Sequence, residues 1–304
     1  MTLIGVFNTI DGVTLFADRQ ETITDYAKWD CSKIKILELS DVFRVFMAGA
    51  GPSDTCDMIW EKFVEEHDKK SPLLATELRE IIVRMVERIT KKCILPFPVK
   101  ERPYVDLIWV LQHKQCNPLT MRQHLGFIQV FRTSGLDVLD VRGNHFSGNP
   151  ILLTKFLSNL FLDRTLFTMP EAEALAAYFL WEAKEYDPTC GKHSDVFTIR
   201  NDWTLGRLSR DEIKYWEEHF EHLKEAMGIV PLLSCGGSMF RRNVSVDDYL
   251  ERLNTVVKTL AKEQLAWRQK SQKPRSKLEE KLNKNVTKIA AKHLKKRMKQ
   301  SSTP

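Results

Sequence analysis

The sequence predicts an α+β fold in which two antiparallel sheets pack face to face under layers of helices. Three observations carry that expectation. Short apolar runs of strand length come in two blocks, each block is followed by stretches with apolar residues at helical spacing, and a last short apolar run follows the second helical stretch. A chain ordered strands, helices, strands, helices, strand buries its apolar faces best as stacked layers.

Taken in order, the run from Thr2 to Arg19 reads as a hairpin. Its turn is expected at Asp11-Gly12, because glycine accepts the positive φ of a tight turn. Lys33 to Leu39 and Val42 to Met47, split by Ser40-Asp41, form a second antiparallel pair. Ala48-Gly49-Ala50-Gly51-Pro52 ends it, and Ser53-Asp54 cap a helix carrying Met58, Ile59 and Phe63 on one face. Over about residues 74–91, Leu78, Ile81, Ile82, Met85, Val86 and Ile89 recur at helical spacing. Pro96-Phe97-Pro98 stops that helix, and Tyr104 to Gln112, Leu125 to Arg132 and Leu136 to Val141 form the second block of strands. Pro150 and Pro170 stand at first helical positions, the latter before an Ala- and Leu-rich helix to Tyr186, and Val196 to Ile199 is a further strand. Ser209-Arg210-Asp211-Glu212 has the form of a capping box opening a helix with Ile213, Trp216, Phe220, Leu223 and Met227 on one face. Pro231 to Arg242 reads as a loop, and a helix from Ser245 leads into a basic tail.

Composition narrows the classes. The net charge of +6 is uneven: residues 256–304 hold 15 Lys and Arg against 3 Glu, so the body is acidic and the tail basic. Aromatic interleaving is almost absent in the tail, so it reads as a solvated or polyanion-contacting segment and not as a base-stacking one. No apolar run spans a bilayer and no secretory leader is evident, so the expectation is a cytoplasmic protein without a membrane segment. Six cysteines, scattered singly, form neither a disulfide framework nor a zinc site. His219 and His222 have helical metal-ligand spacing but no third ligand in the sequence, so no metal and no cofactor are expected.

The candidate chemistry begins at Thr2. Methionine before a small residue is normally removed, which would give Thr2 a free α-amine beside its own hydroxyl, a nucleophile with a built-in base. An α-amine titrates near ~7.7–8.0, so a useful fraction is neutral near pH 7. Asp18 and Lys33, on adjacent strands, form an ion pair that would hold an ammonium near the hydroxyl, lower the amine's pKa and stabilise developing negative charge.

Thr2, the run Asp11-Gly12-Val13-Thr14-Leu15-Phe16-Ala17-Asp18-Arg19, Lys33-Ile34, Ala48-Gly49, Ser147-Gly148 and Asp187-Pro188-Thr189-Cys190-Gly191, in this order, resemble the proteasome β-subunit and HslV family of N-terminal-nucleophile (Ntn) hydrolases over about residues 2–205. The resemblance implies an Ntn-hydrolase αββα sandwich at 1–205, with added helices at 206–265 and a Lys-rich tail at 266–304. It implies a threonine-type endopeptidase in which Thr2 attacks a peptide carbonyl, an ester forms, and an amine-activated water hydrolyses it. It implies that the Gly49 N–H is the oxyanion donor, with Gly51 competing because the turn is one residue longer than the family's. Ser147 and Asp187 would orient the amine, Cys190 stands where the family has serine, and Met47 would shape the pocket for the residue preceding the scissile bond. A peptide or unfolded protein substrate, a homo-oligomeric ring and an ATP-driven unfoldase partner are further implications. Two alternatives share the fold: a catalytically silent assembly subunit, and an Ntn amidohydrolase with a non-peptide substrate.

Overall fold

A computed structural model of the chain describes residues 3–24, 27–69, 75–115, 125–148, 167–186, 190–191, 193–234, 251, 254–255, 258–259 and 262. Thr2, Asp187, the helix expected at Pro150, and nearly all of the basic tail lie outside them. The chain divides into two compact units, Met1–Glu217 and Glu218–Pro304.

The first unit is built on two five-stranded antiparallel sheets, as the strand pattern predicts. One has the order β10-β1-β2-β11-β12, from β1 (Leu3–Thr9), β2 (Gly12–Asp18), β10 (His145–Gly148), β11 (Ser194–Arg200) and β12 (Leu205–Arg207). The other runs β5-β6-β7-β8-β9, from β5 (Ile34–Ser40), β6 (Phe43–Ala50), β7 (Asp106–Gln115), β8 (Leu125–Ser134) and β9 (Asp137–Asp140). A separate hairpin of β3 (Gln20–Thr24) and β4 (Ala27–Asp30) links them.

Period-two alternation sorts each strand's side chains between two layers. Ile4, Val6, Leu15 and Ala17 meet Phe46, Ala48, Ile108 and Val110 in the core between the sheets. From the same strands Leu3, Phe7 and Phe16 point the other way, onto helix α3 (Met169–Tyr186). The small residues Ala172, Ala176 and Ala183 of α3 leave room there for Phe7, Phe16 and Phe179. The second sheet is covered by α1 (Ser53–Lys69) and α2 (Ala75–Ile89), whose Ile59, Phe63, Leu78 and Ile82 bury against Val45, Trp109 and Phe131. The six residues predicted from Leu78 to Ile89 to form one helix face are all buried. A π-helical turn, Thr90–Ile94, ends this segment.

Two local expectations are corrected. The first hairpin turns at Ile10-Asp11, since Thr9 pairs with Gly12. Gly12 has φ 153°, and a Cβ there would sit 2.0 Å from the Ile199 carbonyl oxygen, so glycine is needed for the close approach of β11. Helix α4 (Arg210–Ser234) continues through Pro231, where a loop was expected. Proline's fixed φ fits a helix at the loss of one hydrogen bond. The capping box at its start closes reciprocally, the Ser209 N–H donating to Glu212 Oε2 at 2.7 Å and the Glu212 N–H to Ser209 Oγ at 3.2 Å. In the second unit, beyond the end of α4, Glu251, Asn254, Thr255, Lys258, Thr259 and Lys262 are helical, with the Thr255 and Thr259 hydroxyls donating to carbonyls four residues back.

Candidate active site

Asp18 ends β2 fully buried, with 0% of its side chain exposed. Its carboxylate accepts the Leu3 N–H at 2.8 Å and the Gly191 N–H at 3.2 Å, and the Lys33 ammonium reaches both oxygens, at 3.0 and 2.9 Å. Removing a carboxylate from water is costly unless it is paired and hydrogen-bonded, and Asp18 has both kinds of support. The antiparallel register explains the Leu3 contact: Ile4 pairs with Ala17, so Leu3 lies opposite the end of β2. Lys33 directly precedes β5, and its stem is enclosed so that only 10% of the side chain is exposed. Thr2, bonded covalently to Leu3, is outside the described residues.

A second ion network braces this centre. Arg19 donates to both oxygens of Asp195 and to Asp30, and Asp195, itself unexposed, also takes the Ser32 hydroxyl at 2.7 Å and the Arg207 guanidinium. Partial burial works against the Arg19 charge, but its hydrogen bond to Asp30 and the Asp195 carboxylate hold its guanidinium above the ordinary value. Burial likewise works against the Asp30 carboxylate and is outweighed by Arg19, so its pKa lies below the usual carboxylate range. The residues bound by this network, Arg19 and Ser32, are the chain neighbours of Asp18 and Lys33.

The remaining expected residues separate. Ser147 on β10 pairs with Ile4, one residue from the Leu3 that binds Asp18. Its Oγ lies 2.9 Å from the Tyr104 hydroxyl. Cys190 is 6% exposed and packs with Leu3 and Val196 in the core under α3. The adjacent Gly191 is the one that contributes to the site, through its N–H. Met47 is 1% exposed in the core against α1 and α2, so it lines no open pocket here, because β6 alternation turns residues 45 and 47 toward the helices. The Gly49 N–H donates to the Lys33 carbonyl at 3.3 Å, so an oxyanion would have to compete for it. A Cβ at Gly49 would meet Cys56 Sγ of α1 at 3.0 Å, and one at Gly51, with φ 135°, would meet the Tyr104 carbonyl oxygen at 2.3 Å. Both glycines therefore have packing reasons to be glycine. His219 and His222 lie on α4, and no group of three metal-ligating side chains gathers among the described residues.

Gly191, the Asp195 network and the pair Tyr104 and Asp106 carry no role in the sequence reading. Asp106 left a signal: a carboxylate at the first sheet-facing position of the apolar run Leu107-Ile108-Trp109-Val110-Leu111 needs a built partner.

Neither a protein-family model nor a curated protein sequence matches the chain. Solved structures do. The Anbu (Gly-1) mutant from Hyphomicrobium sp. strain MC1 superposes with a TM-score of 0.60 at 12% identity, over 75% of this chain and 97% of that one. Anbu (ancestral beta-subunit) from Yersinia bercovieri gives 0.60 at 10% identity, over 79% and 99%. Anbu from Pseudomonas aeruginosa, solved as a helical assembly, gives 0.58 at 10%, over 78% and 97%. These neighbours are Anbu proteins, a proteasome-like family distinct from the proteasome β-subunits and HslV, so the family assignment drawn from the motifs is corrected. The physical reason lies in the motifs themselves. Asp18 binding the start of β1 and Gly12 admitting β11 are requirements of the sandwich, and they do not separate one family built on it from another. The chain has an α+β fold with an Ntn-like sandwich, the fold these Anbu structures share with it.

Proposed function

We propose that this protein is an Ntn amide hydrolase of the threonine peptidase type, with Thr2 as nucleophile once Met1 is removed. The observation that carries this reading is the buried Asp18, which binds the backbone N–H directly after Thr2 and the Lys33 ammonium with the same carboxylate. A cation held there favours a neutral α-amine nearby and the oxyanion character that grows on the Thr2 hydroxyl as its proton leaves. Thr2 Oγ attacks the carbonyl of a peptide or unfolded protein, the amine leaves, and the resulting ester is hydrolysed by a water from which the α-amine takes a proton. Asp18 and Lys33 hold and polarise the centre; Ser147 and Asp187 orient the amine. Residues 1–205 form the hydrolase domain, with 206–265 and the Lys-rich 266–304 as additions to it, and the setting is cytoplasmic.

Oligomeric assembly belongs to the same proposal. The Pseudomonas aeruginosa Anbu was solved as a helical assembly, which favours an open oligomer of this chain over the closed ring that the motifs implied. An ATP-driven unfoldase would then be a partner of the assembly.

The engaged Gly49 N–H favours a second reading, a silent assembly subunit that keeps the fold without an oxyanion donor. Intact mass and electrophile labelling separate the two. The peptidase reading expects loss of Met1 and stoichiometric addition of a peptide epoxyketone at Thr2; a chain that has lost Met1 but adds no electrophile is a silent subunit.

A further inference from the structure

Tyr104, Asp106, Arg132, His145 and Ser147 converge from both sheets on one cluster. Asp106 opens β7 with a side chain 1% exposed, and Ser147 stands across the sandwich on β10 at 6%. Tyr104 precedes β7 with its ring half in solvent. Its hydroxyl lies 3.0 Å from Asp106 Oδ2 and 2.9 Å from Ser147 Oγ. His145 Nε2 and Arg132 approach the same Oδ2 at 3.9 and 4.0 Å, beyond direct hydrogen-bond distance.

The chemistry of these three oxygens sets a direction. Burial works against the Asp106 charge but is outweighed by His145, Ser147 and Tyr104, so the carboxyl is held below the usual carboxylate range and is ionised at neutral pH. Burial, together with the nearby Asp106 charge, pushes the Tyr104 phenol up, so it keeps its proton. An ionised carboxylate only accepts, so the single phenolic hydrogen goes to Asp106. The phenolic oxygen is then left as an acceptor, and it takes the Ser147 hydrogen. Ser147 Oγ has spent its one donor within this cluster. What it offers is lone pairs.

The register says where those lone pairs stand. β10 pairs Ser147 with Ile4 and Gly148 with Leu3, so Ser147 lies on the strand beside the start of β1, where Thr2 is joined. We propose that Tyr104 and Asp106 are positioning residues that fix the Ser147 hydroxyl as a hydrogen-bond acceptor for the α-amine of Thr2. This rests on the N-terminal-nucleophile reading above. The chain Ser147→Tyr104→Asp106 acts on the amine, so no contact of Tyr104 or Asp106 with substrate is required.

The test is the titration of the α-amine, followed by competitive labelling with acetic anhydride across pH and quantified on the N-terminal peptide, in the full chain. An acceptor facing the amine stabilises its ammonium form, so Tyr104→Phe and Asp106→Asn are expected to move the midpoint to lower pH. Epoxyketone addition at Thr2 is expected to slow by roughly tenfold in each, the effect of one ordered hydrogen bond. Ser147→Ala is expected to move the midpoint likewise, and adding Tyr104→Phe to it should change nothing further, which a merely structural role of Tyr104 would not reproduce. An unchanged midpoint in Tyr104→Phe, or in Ser147→Ala, overturns the proposal, as does retention of Met1. If the midpoint moves but no epoxyketone adds to the wild type, the positioning stands and the hydrolase reading fails. If the epoxyketone adds and the midpoint is fixed, the reverse holds.

Discussion

Asp18 and Asp106 are both carboxylates shut away from water, and they are stabilised in different ways. Asp18 has an ammonium on both oxygens and two backbone N–H donors. Asp106 has a phenolic hydrogen bond, with His145 and the Arg132 guanidinium at 3.9 and 4.0 Å. Two of the Asp18 partners, Leu3 and Lys33, are each fifteen residues away in the chain, whereas Tyr104 and Ser147 are forty-three apart. The first centre is an electrostatic anchor that also draws on both sheets, with Asp18 at the end of β2, Leu3 on β1, Lys33 just before β5 and the Gly191 N–H. The second is a relay of neutral hydroxyls from two sheets, ending in a charge, and what it transmits is the direction of a hydrogen.

The comparison breaks most readily at Lys33. Lys33→Met removes the ammonium that reaches both oxygens of the buried Asp18, and the expected loss is about 3–5 kcal/mol in urea unfolding. A loss near zero would mean that Asp18 is not held by charge. Gly12→Ala should cost about 2–3 kcal/mol, because the new Cβ drives the Ile199 carbonyl away and loosens β11 from β2. Its effect is expected to include the Asp18 centre, next to β11, and to spare the Asp106 cluster, so hydrogen exchange at Gly191 should rise while that at Ser147 stays put.

Asp106→Asn is expected to cost about 1–2 kcal/mol, less than Lys33→Met, since no close ion pair is lost. Its pH dependence carries the sign. A carboxyl held lower in the folded chain than its unfolded value near 3.9 contributes stability that is present above that value and is lost as pH falls through the folded one. The difference between wild type and Asp106→Asn should therefore be flat above about pH 5 and shrink below about pH 4. A difference still growing between pH 6 and 8 would show that Asp106 is not ionised in the neutral protein. Tyr104→Phe should be the mildest, about 1 kcal/mol or less in thermal unfolding, because the ring remains and the site is half-exposed.

Much of the fold was legible because alternation and helical spacing are local signals. β5 to β9 and helices α1 to α3 fall within a few residues of where their apolar patterns put them. β10 and β12 were not legible, since four and three residues are too few to show a period, and neither was the β3-β4 hairpin, a polar ribbon with little apolar content to read. In the site, the pairing of Asp18 with Lys33 was expected across adjacent strands, but the two meet from different sheets, Asp18 at the end of β2 and Lys33 just before β5. The hydrogen bond of the Gly49 N–H to Lys33 and the fit of Gly49 against Cys56 were not legible, because both depend on where β5 and α1 dock.

By itself, then, the sequence determined the layers and the strand faces, because both follow from the spacing of apolar residues along the chain. The family could not follow from those motifs, since they serve the shared sandwich. Only the tertiary structure decided that Ser147 meets Tyr104 and Asp106, that Cys190 is core, and that Met47 faces the helices. Those outcomes turn on which strands become neighbours across two sheets, and side chains forty residues apart acquire a common chemistry only once the layers have packed.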